Sequence, residues 1–181
     1  MNRWLTIASH QLSDYIINNG YITNILFPSN STNYYLRLNS STTDIPITTT
    51  TLYIGVDNGQ STNELILNSN FENLEEIVFV KNSATYIRNI TIDGLPELNA
   101  IRFGEYSCRL GSSSRNDGHL VIANSPKLLE ISVNSYSMQD YSTIIISNLT
   151  ILRSIYIDSY ALQNIKTIEL YSNSNQSIDE L

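Results

Sequence analysis

Leu74-Glu75-Glu76-Ile77-Val78-Phe79-Val80-Lys81-Asn82-Ser83-Ala84 decides the reading of this chain, because its frame, L-x-x-I-x-F-x-x-N-x-A, returns three times downstream. The same positions are filled by Leu98, Ile101, Phe103, Tyr106 and Cys108, then by Leu128, Ile131, Val133, Tyr136 and Met138, then by Leu152, Ile155, Ile157, Tyr160 and Leu162. Taking the Ile after the first Leu as marker, the copies stand at 77, 101, 131 and 155, in steps of 24, 30 and 24 residues. The long step holds Arg109-Leu110-Gly111-Ser112-Ser113-Ser114-Arg115-Asn116-Asp117-Gly118-His119, whose Gly and Asn-Asp-Gly elements are turn chemistry. Removing six residues there restores the period.

A second apolar ladder runs just ahead of each Leu: Ile90 and Ile92, Leu120 and Ile122, Ile144 and Ile146, Ile168 and Leu170. These are period-two pairs, so each unit is expected to hold two short strands joined by corners, with Leu95 and Leu149 carrying the chain around the outside. Successive units must then stack to bury the two rows, and no unit could fold alone. Weaker copies extend the array toward the N-terminus. Ile22, Ile25, Phe27, Asn30 and Thr32 fit the frame, and Leu52, Ile54, Asp57 and Gly59 fit it in part, with Thr49 where Leu belongs. Ahead of them Trp4, Leu5, Ala8, Leu12, Tyr15 and Ile16 mark one face at helical spacing, and Asn18-Asn19-Gly20 is a helix stop. The expected organisation is therefore a helical cap at 1–20 and a stack of about six repeats at 21–181. After Leu170 the chain turns polar, which leaves two expectations open: the tail shields the last repeat, or the repeats form a piece of a longer array.

Composition agrees with strands. The apolar fraction is 41% and the charged fraction 15%, with Ile, Thr and Tyr favoured, residues that suit a pleated sheet. The net charge is −7 with no basic run, which argues against a phosphate-tracking nucleic-acid surface. Cys108 is the only cysteine, so an intrachain disulfide is impossible; its place at the last apolar position of the frame marks it as a buried small hydrophobe. No stretch reaches the length of a membrane span and no signal sequence is evident, so membrane insertion is not expected. The cytosol is the default location and the cell surface the alternative. The closing Ile178-Asp179-Glu180-Leu181 lacks the basic or His residue of a retrieval signal.

L-x-x-L-x-L-x-x-N followed by a closing apolar residue is the repeated segment of leucine-rich repeats, and residues 22 to 170 resemble it. Ile101-Arg102-Phe103-Gly104-Glu105-Tyr106-Ser107-Cys108 and Ile155-Tyr156-Ile157-Asp158-Ser159-Tyr160-Ala161-Leu162 are similar to the corner of BspA-like repeats, common in protist and bacterial surface proteins. The resemblance implies a mainly β, leucine-rich-repeat solenoid of about 24-residue coils, with parallel strands stacked in two sheets and a short N-terminal capping helix. Asn stands at Asn30 and Asn82 only; Tyr106, Tyr136 and Tyr160 replace it later. Since the family's Asn satisfies backbone groups inside the turn, the Tyr copies are expected to use a different corner and to straighten the stack.

Such folds bind through side chains pointing out of the main sheet. The candidate partner-binding residues are Glu76, Val78, Arg102, Glu130, Ser132, Tyr156 and Asp158, with Arg102 and Tyr156 of the types enriched at interface hot spots. The plain alternative is that Arg102 between glutamates is a cross-strand ion pair of small worth. Ser112, Ser113, Ser114, Asp117 and His119 in the inserted loop do not make a triad, because a nucleophile needs its base and oxyanion hole on rigid elements. His10 is too isolated to suggest a metal. Asn-x-Ser/Thr sequences at Asn30, Asn39, Asn89, Asn148 and Asn175 are expected by chance in a chain this rich in Asn, Ser and Thr. The expected function is a non-enzymatic protein-protein interaction module without cofactor or metal, its partner a protein. The alternative is a BspA-like adhesive or structural surface repeat.

Overall fold

The structure is a computed structural model and describes residues 32–36, 45–55, 63–110 and 117–171. Among them the chain is mainly β, without a helix. The strands are β1 (Asn33–Leu36), β2 (Thr51–Ile54), β3 (Glu64–Leu67), β4 (Glu76–Phe79), β5 (Asn89–Asp93), β6 (Ala100–Phe103), β7 (Gly118–Ala123), β8 (Glu130–Val133), β9 (Tyr141–Ser147), β10 (Ser154–Ile157) and β11 (Thr167–Tyr171). They form two parallel sheets, one ordered β1-β2-β4-β6-β8-β10 and the other β11-β9-β7-β5-β3. From β2 onward the chain alternates between the sheets, so each strand pairs with the one two places on.

The register follows the repeat frame. Leu52, Ile77, Ile101, Ile131 and Ile155 stand side by side across the first sheet, and Leu65, Ile90, Leu120, Ile144 and Ile168 across the second. Because side chains alternate faces along a strand, these rows and the residues two places on point together into one core. Phe79 and Phe103 stack within it, centroids 4.6 Å apart. Full burial of a Leu or Ile side chain contributes about 1.5–3 kcal/mol, so the shared rows hold adjacent units together. Leu74, Leu98 and Leu128 are buried at each entry to the first sheet, with Thr49 buried at their position ahead of β2. Leu95 and Cys108 are fully buried, as their places in the frame require.

Both corners repeat a backbone device. Asn82, Tyr106, Tyr136 and Tyr160 have φ between 57° and 60°, and Ala84, Cys108, Met138 and Leu162 between 52° and 55°. The N–H of Asn82 donates to the Glu105 carbonyl, that of Tyr106 to Ser135 and that of Tyr136 to Ser159, each reaching the next unit. The expectation of a different corner at the tyrosines is thus incorrect: the same left-handed backbone serves Asn and Tyr, since the bond that holds it is made by main chain. Tyr106, Tyr136 and Tyr160 instead stack on one another at 4.9 and 5.0 Å. Between the two left-handed positions Ser83, Ser107 and Ser137 are buried, and the Ser107 and Ser137 hydroxyls share a hydrogen bond of 2.9 Å. At the opposite corner Gly94, Asn124 and Asn148 take φ of 72°, 51° and 54° and donate in the same way to Ala123, Ser147 and Tyr171.

One expectation requires correction and one ladder is longer than expected. The strand beside β2 is β1, which sets Tyr34 against Leu52 and Leu36 against Ile54; the place expected for Ile25 and Phe27 belongs to Asn33-Tyr34-Tyr35-Leu36, whose aromatic, period-two character suits a strand. Leu65 and Leu67 of β3 are a further inward pair of the second ladder, buried at 2% and 0%. The helical cap at 1–20, Ile22, Ile25, Phe27, Asn30, Asp57 and Gly59 lie outside the described residues, as do His10, Asn39 and Asn175.

One side chain ties three units together. Tyr141, fully buried, donates its hydroxyl to the Ile87 carbonyl at 2.6 Å. Its burial, with Cys108 beside it, pushes the phenol well above its ordinary pKa, so it stays a donor. Gly118 makes room for its ring: a Cβ there would sit 2.6 Å from Tyr141 ring carbons.

Candidate functional site

The outward face of the six-stranded sheet is built by the residues that alternate with the core rows. Parallel register places Tyr35, Tyr53, Val78, Arg102, Ser132 and Tyr156 in one row across it. A second row carries Thr51, Glu76, Ala100, Glu130 and Ser154. Five of the seven expected residues, Glu76, Val78, Arg102, Glu130 and Ser132, therefore share one face with Tyr156, and Asp158 follows directly after β10.

They are not equally accessible. Tyr53 is 1% and Val78 0% exposed although both alternate with the core rows, whereas Tyr156 is 58% exposed. Val78 is thus not available to a partner, and the open part of the face runs from β6 to β10. Burial, reinforced by the charge of Glu76, pushes the Tyr53 phenol up to about 12.

Arg102 bridges two strands. Its Nε donates to Glu76 Oε1 at 2.7 Å and its Nη2 meets Glu130 Oε1 at 2.5 Å. Ala100 lies between the two glutamates in their row and leaves space for the guanidinium. Partial burial opposes the Arg102 charge, but the hydrogen bond to Glu76 and the charge of Glu130 outweigh it and raise the pKa. The three side chains remain a quarter or more exposed, so each pair contributes only about 0.2–1 kcal/mol. Arg102 is accordingly a component of a fixed charge cluster, a planar cation edged by two carboxylates.

Asp158 has a local structural duty. Its carboxylate accepts from the Ser135 hydroxyl at 2.6 Å and from the Ser159 N–H at 2.6 Å, and the Ser135 bond first, then the Ser159 N–H, hold it below the usual carboxylate range. It fastens the corner after β10 to the preceding unit. Ser132 stands between Arg102 and Tyr156, polar and partly exposed.

The tyrosine stack at the neighbouring corner was legible only as a substitution for Asn. Its signal was recurrence: three tyrosines at one frame position must stand in a column once the units are in register. Lys81 and Arg109 each lie 5.9 Å from the Tyr106 ring centroid and cover the first ring of the column. In the inserted loop Ser112, Ser113 and Ser114 lie outside the described residues. Asp117 pairs with Arg88 at 3.3 Å and His119 is exposed near the start of β7. Of the Asn-x-Ser/Thr positions, Asn89 opens β5 and Asn148 donates to Asn124 Oδ1 at 2.8 Å. Among the described residues no three His, Cys, Asp or Glu side chains converge as a metal site would require, and no helix is long and apolar enough to cross a membrane.

No family model, curated protein or solved structure matches the chain.

Proposed function

We propose that this chain is a non-catalytic binding module, a leucine-rich-repeat-like solenoid that recognises a protein partner through the outward face of its six-stranded sheet between β6 and β10. The L-x-x-I-x-F frame, the alternation of successive strands between two parallel sheets and the in-register rows support the solenoid reading. The observation that carries the functional reading is the row Arg102, Ser132, Tyr156: a cation held flat by Glu76 and Glu130, a small polar residue and an exposed tyrosine, all on rigid neighbouring strands. Aromatic and Arg side chains presented without loss of backbone order are what interface hot spots use, because little ordering remains to be done on binding.

The test is partner capture from the source cells by the intact chain against a Ser132→Arg, Tyr156→Ala variant. Both positions are partly or well exposed, so melting should be unchanged. Reversing Arg102 is the poorer choice, since it would set three carboxylates together and perturb the fold. A protein retained by the intact chain and lost by the variant supports the reading; identical capture by both removes this face as the interface.

A further inference from the structure

The corner that follows the six-stranded sheet carries a tyrosine at the same position of three successive units, and its backbone fixes how the rings meet. Tyr106, Tyr136 and Tyr160 share the left-handed conformation, with φ of 57°, 59° and 60°, so their side chains leave the main chain in the same direction. The Tyr106 N–H donates to the Ser135 carbonyl and the Tyr136 N–H to that of Ser159, so main chain at the tyrosines themselves holds each unit against the next. The rings are accordingly near parallel, at 9° and 8°, with centroids 4.9 and 5.0 Å apart, the distance of stacked contact. All three tyrosines are partly or well exposed, whereas the oxidisable sulfurs of the same corners, Cys108 and Met138, are fully buried. A sulfur is oxidised in proportion to its exposure, so an oxidant in solution meets the phenols first.

We propose that this column is a site of oxidative cross-linking, at which a one-electron oxidant of the peroxidase class, working with hydrogen peroxide, joins tyrosines of successive units as dityrosine. Each of two adjacent phenols gives up one electron and its hydroxyl proton. The radicals carry spin on the ring carbons beside the oxygen, and two such carbons, one from each ring, form the new carbon–carbon bond. The hydrogens displaced from those carbons move to the phenol oxygens and restore both aromatic rings. Two electrons and two protons leave in all, and one hydrogen peroxide takes them up to become two waters.

Geometry favours coupling within the column. A radical on Tyr136 has a tyrosine ring on either side, Tyr106 and Tyr160, and reactants held side by side combine far faster than partners that must first meet in solution. Exposure alone would choose other residues: Tyr86 is 49% and Tyr171 57% exposed, yet neither stacks on another tyrosine among the described residues. The product ties covalently units that burial and hydrogen bonds already hold together, and it restricts the unfolded chain as any cross-link between residues distant in sequence does.

Treating the full chain, in dilute solution, with a haem peroxidase and hydrogen peroxide tests the proposal. Dityrosine fluorescence should appear while the chain still runs as a monomer on a reducing, denaturing gel. Mass spectrometry of a digest should find Tyr136 joined to Tyr106 or to Tyr160 with the loss of two hydrogens. Tyr136→Phe keeps a ring in the stack and removes the phenol common to both pairs, so it should abolish the product with the melting curve unchanged, whereas Tyr86→Phe should leave the yield as it is. Cross-links formed chiefly between chains, links mapped to Tyr86, Tyr156 or Tyr171, a yield indifferent to Tyr136→Phe, or no dityrosine at all would each overturn it.

Discussion

Ile101 and Ile155 occupy the same position of the frame two units apart, and replacing each with Ala should separate the middle of the sheet from its end. Ile101 is 0% exposed and lies between Ile77 and Ile131; Ile155 is 39% exposed with Ile131 on one side only. The change removes three carbons. At about 0.8 kcal/mol per buried methylene the transfer loss at Ile101 is about 2.4 kcal/mol, and the closed cavity left between two strands brings it to about 3–4 kcal/mol. At Ile155 roughly three-fifths of the side chain is out of water and the space left opens to solvent, so the loss is about 1.5 kcal/mol with no cavity contribution. The difference of about 2 kcal/mol corresponds to about 1 M in urea midpoint at a slope of about 2 kcal/mol/M. Urea unfolding followed by far-ultraviolet circular dichroism, at concentrations where the chain is monomeric, measures it. Equal losses at the two positions, or a larger one at Ile155, would refute the register that encloses Ile101 between two strands and leaves Ile155 half exposed.

Two further outcomes are expected. Tyr141→Phe should cost about 1–3 kcal/mol in the same assay, because the ring stays while the Ile87 carbonyl loses its donor in a buried setting; an unchanged midpoint would deny the 2.6 Å bond. Tyr53 should resist ionisation until about pH 12, and Glu76→Gln should bring its titration lower by removing the nearby charge. Between the ordinary tyrosine pKa and that value the unfolded chain releases a proton that the folded chain keeps, so stability should fall as pH rises through this window. Absorbance of the phenolate in the intact chain and in Tyr53→Phe identifies the titrating group, and ionisation of Tyr53 at its ordinary value would show that the ring is in contact with water.

The repeat frame was legible because burial imposes it. Leu74, Leu98 and Leu128, and the markers Ile77, Ile101 and Ile131, had to be apolar at fixed spacing for neighbouring units to pack, and the register of the strands follows from them. The second ladder was legible for the same reason. Other features depend on contacts that periodicity does not encode. Val78 and Tyr53 alternate with the core as surface residues do, and nothing in β2 or β4 distinguishes their burial from the exposure of Tyr156. Arg102 was legible as a cation among glutamates, but its span across Ala100 depends on rotamer and strand spacing. β1 was missed because Ile22, Ile25 and Phe27 imitate the frame more closely than Asn33-Tyr34-Tyr35-Leu36.

The left-handed corners have a consequence for how this fold can change over generations. Among the described residues ten other than glycine hold positive φ, each at a cost of about 1 kcal/mol or more for an L side chain. Most repay it with a main-chain bond donated to a neighbouring unit, so each unit leans on the next for a conformation it would not keep alone. Side chains at these positions are therefore free to vary in chemistry, Asn to Tyr or Ala to Met, provided that they are not branched at Cβ. Val, Ile and Thr, the residues this chain otherwise favours, are barred from ten places in it. A lineage drifting toward ever more of them would meet its first obstacle at the corners, well before the core ran out of room.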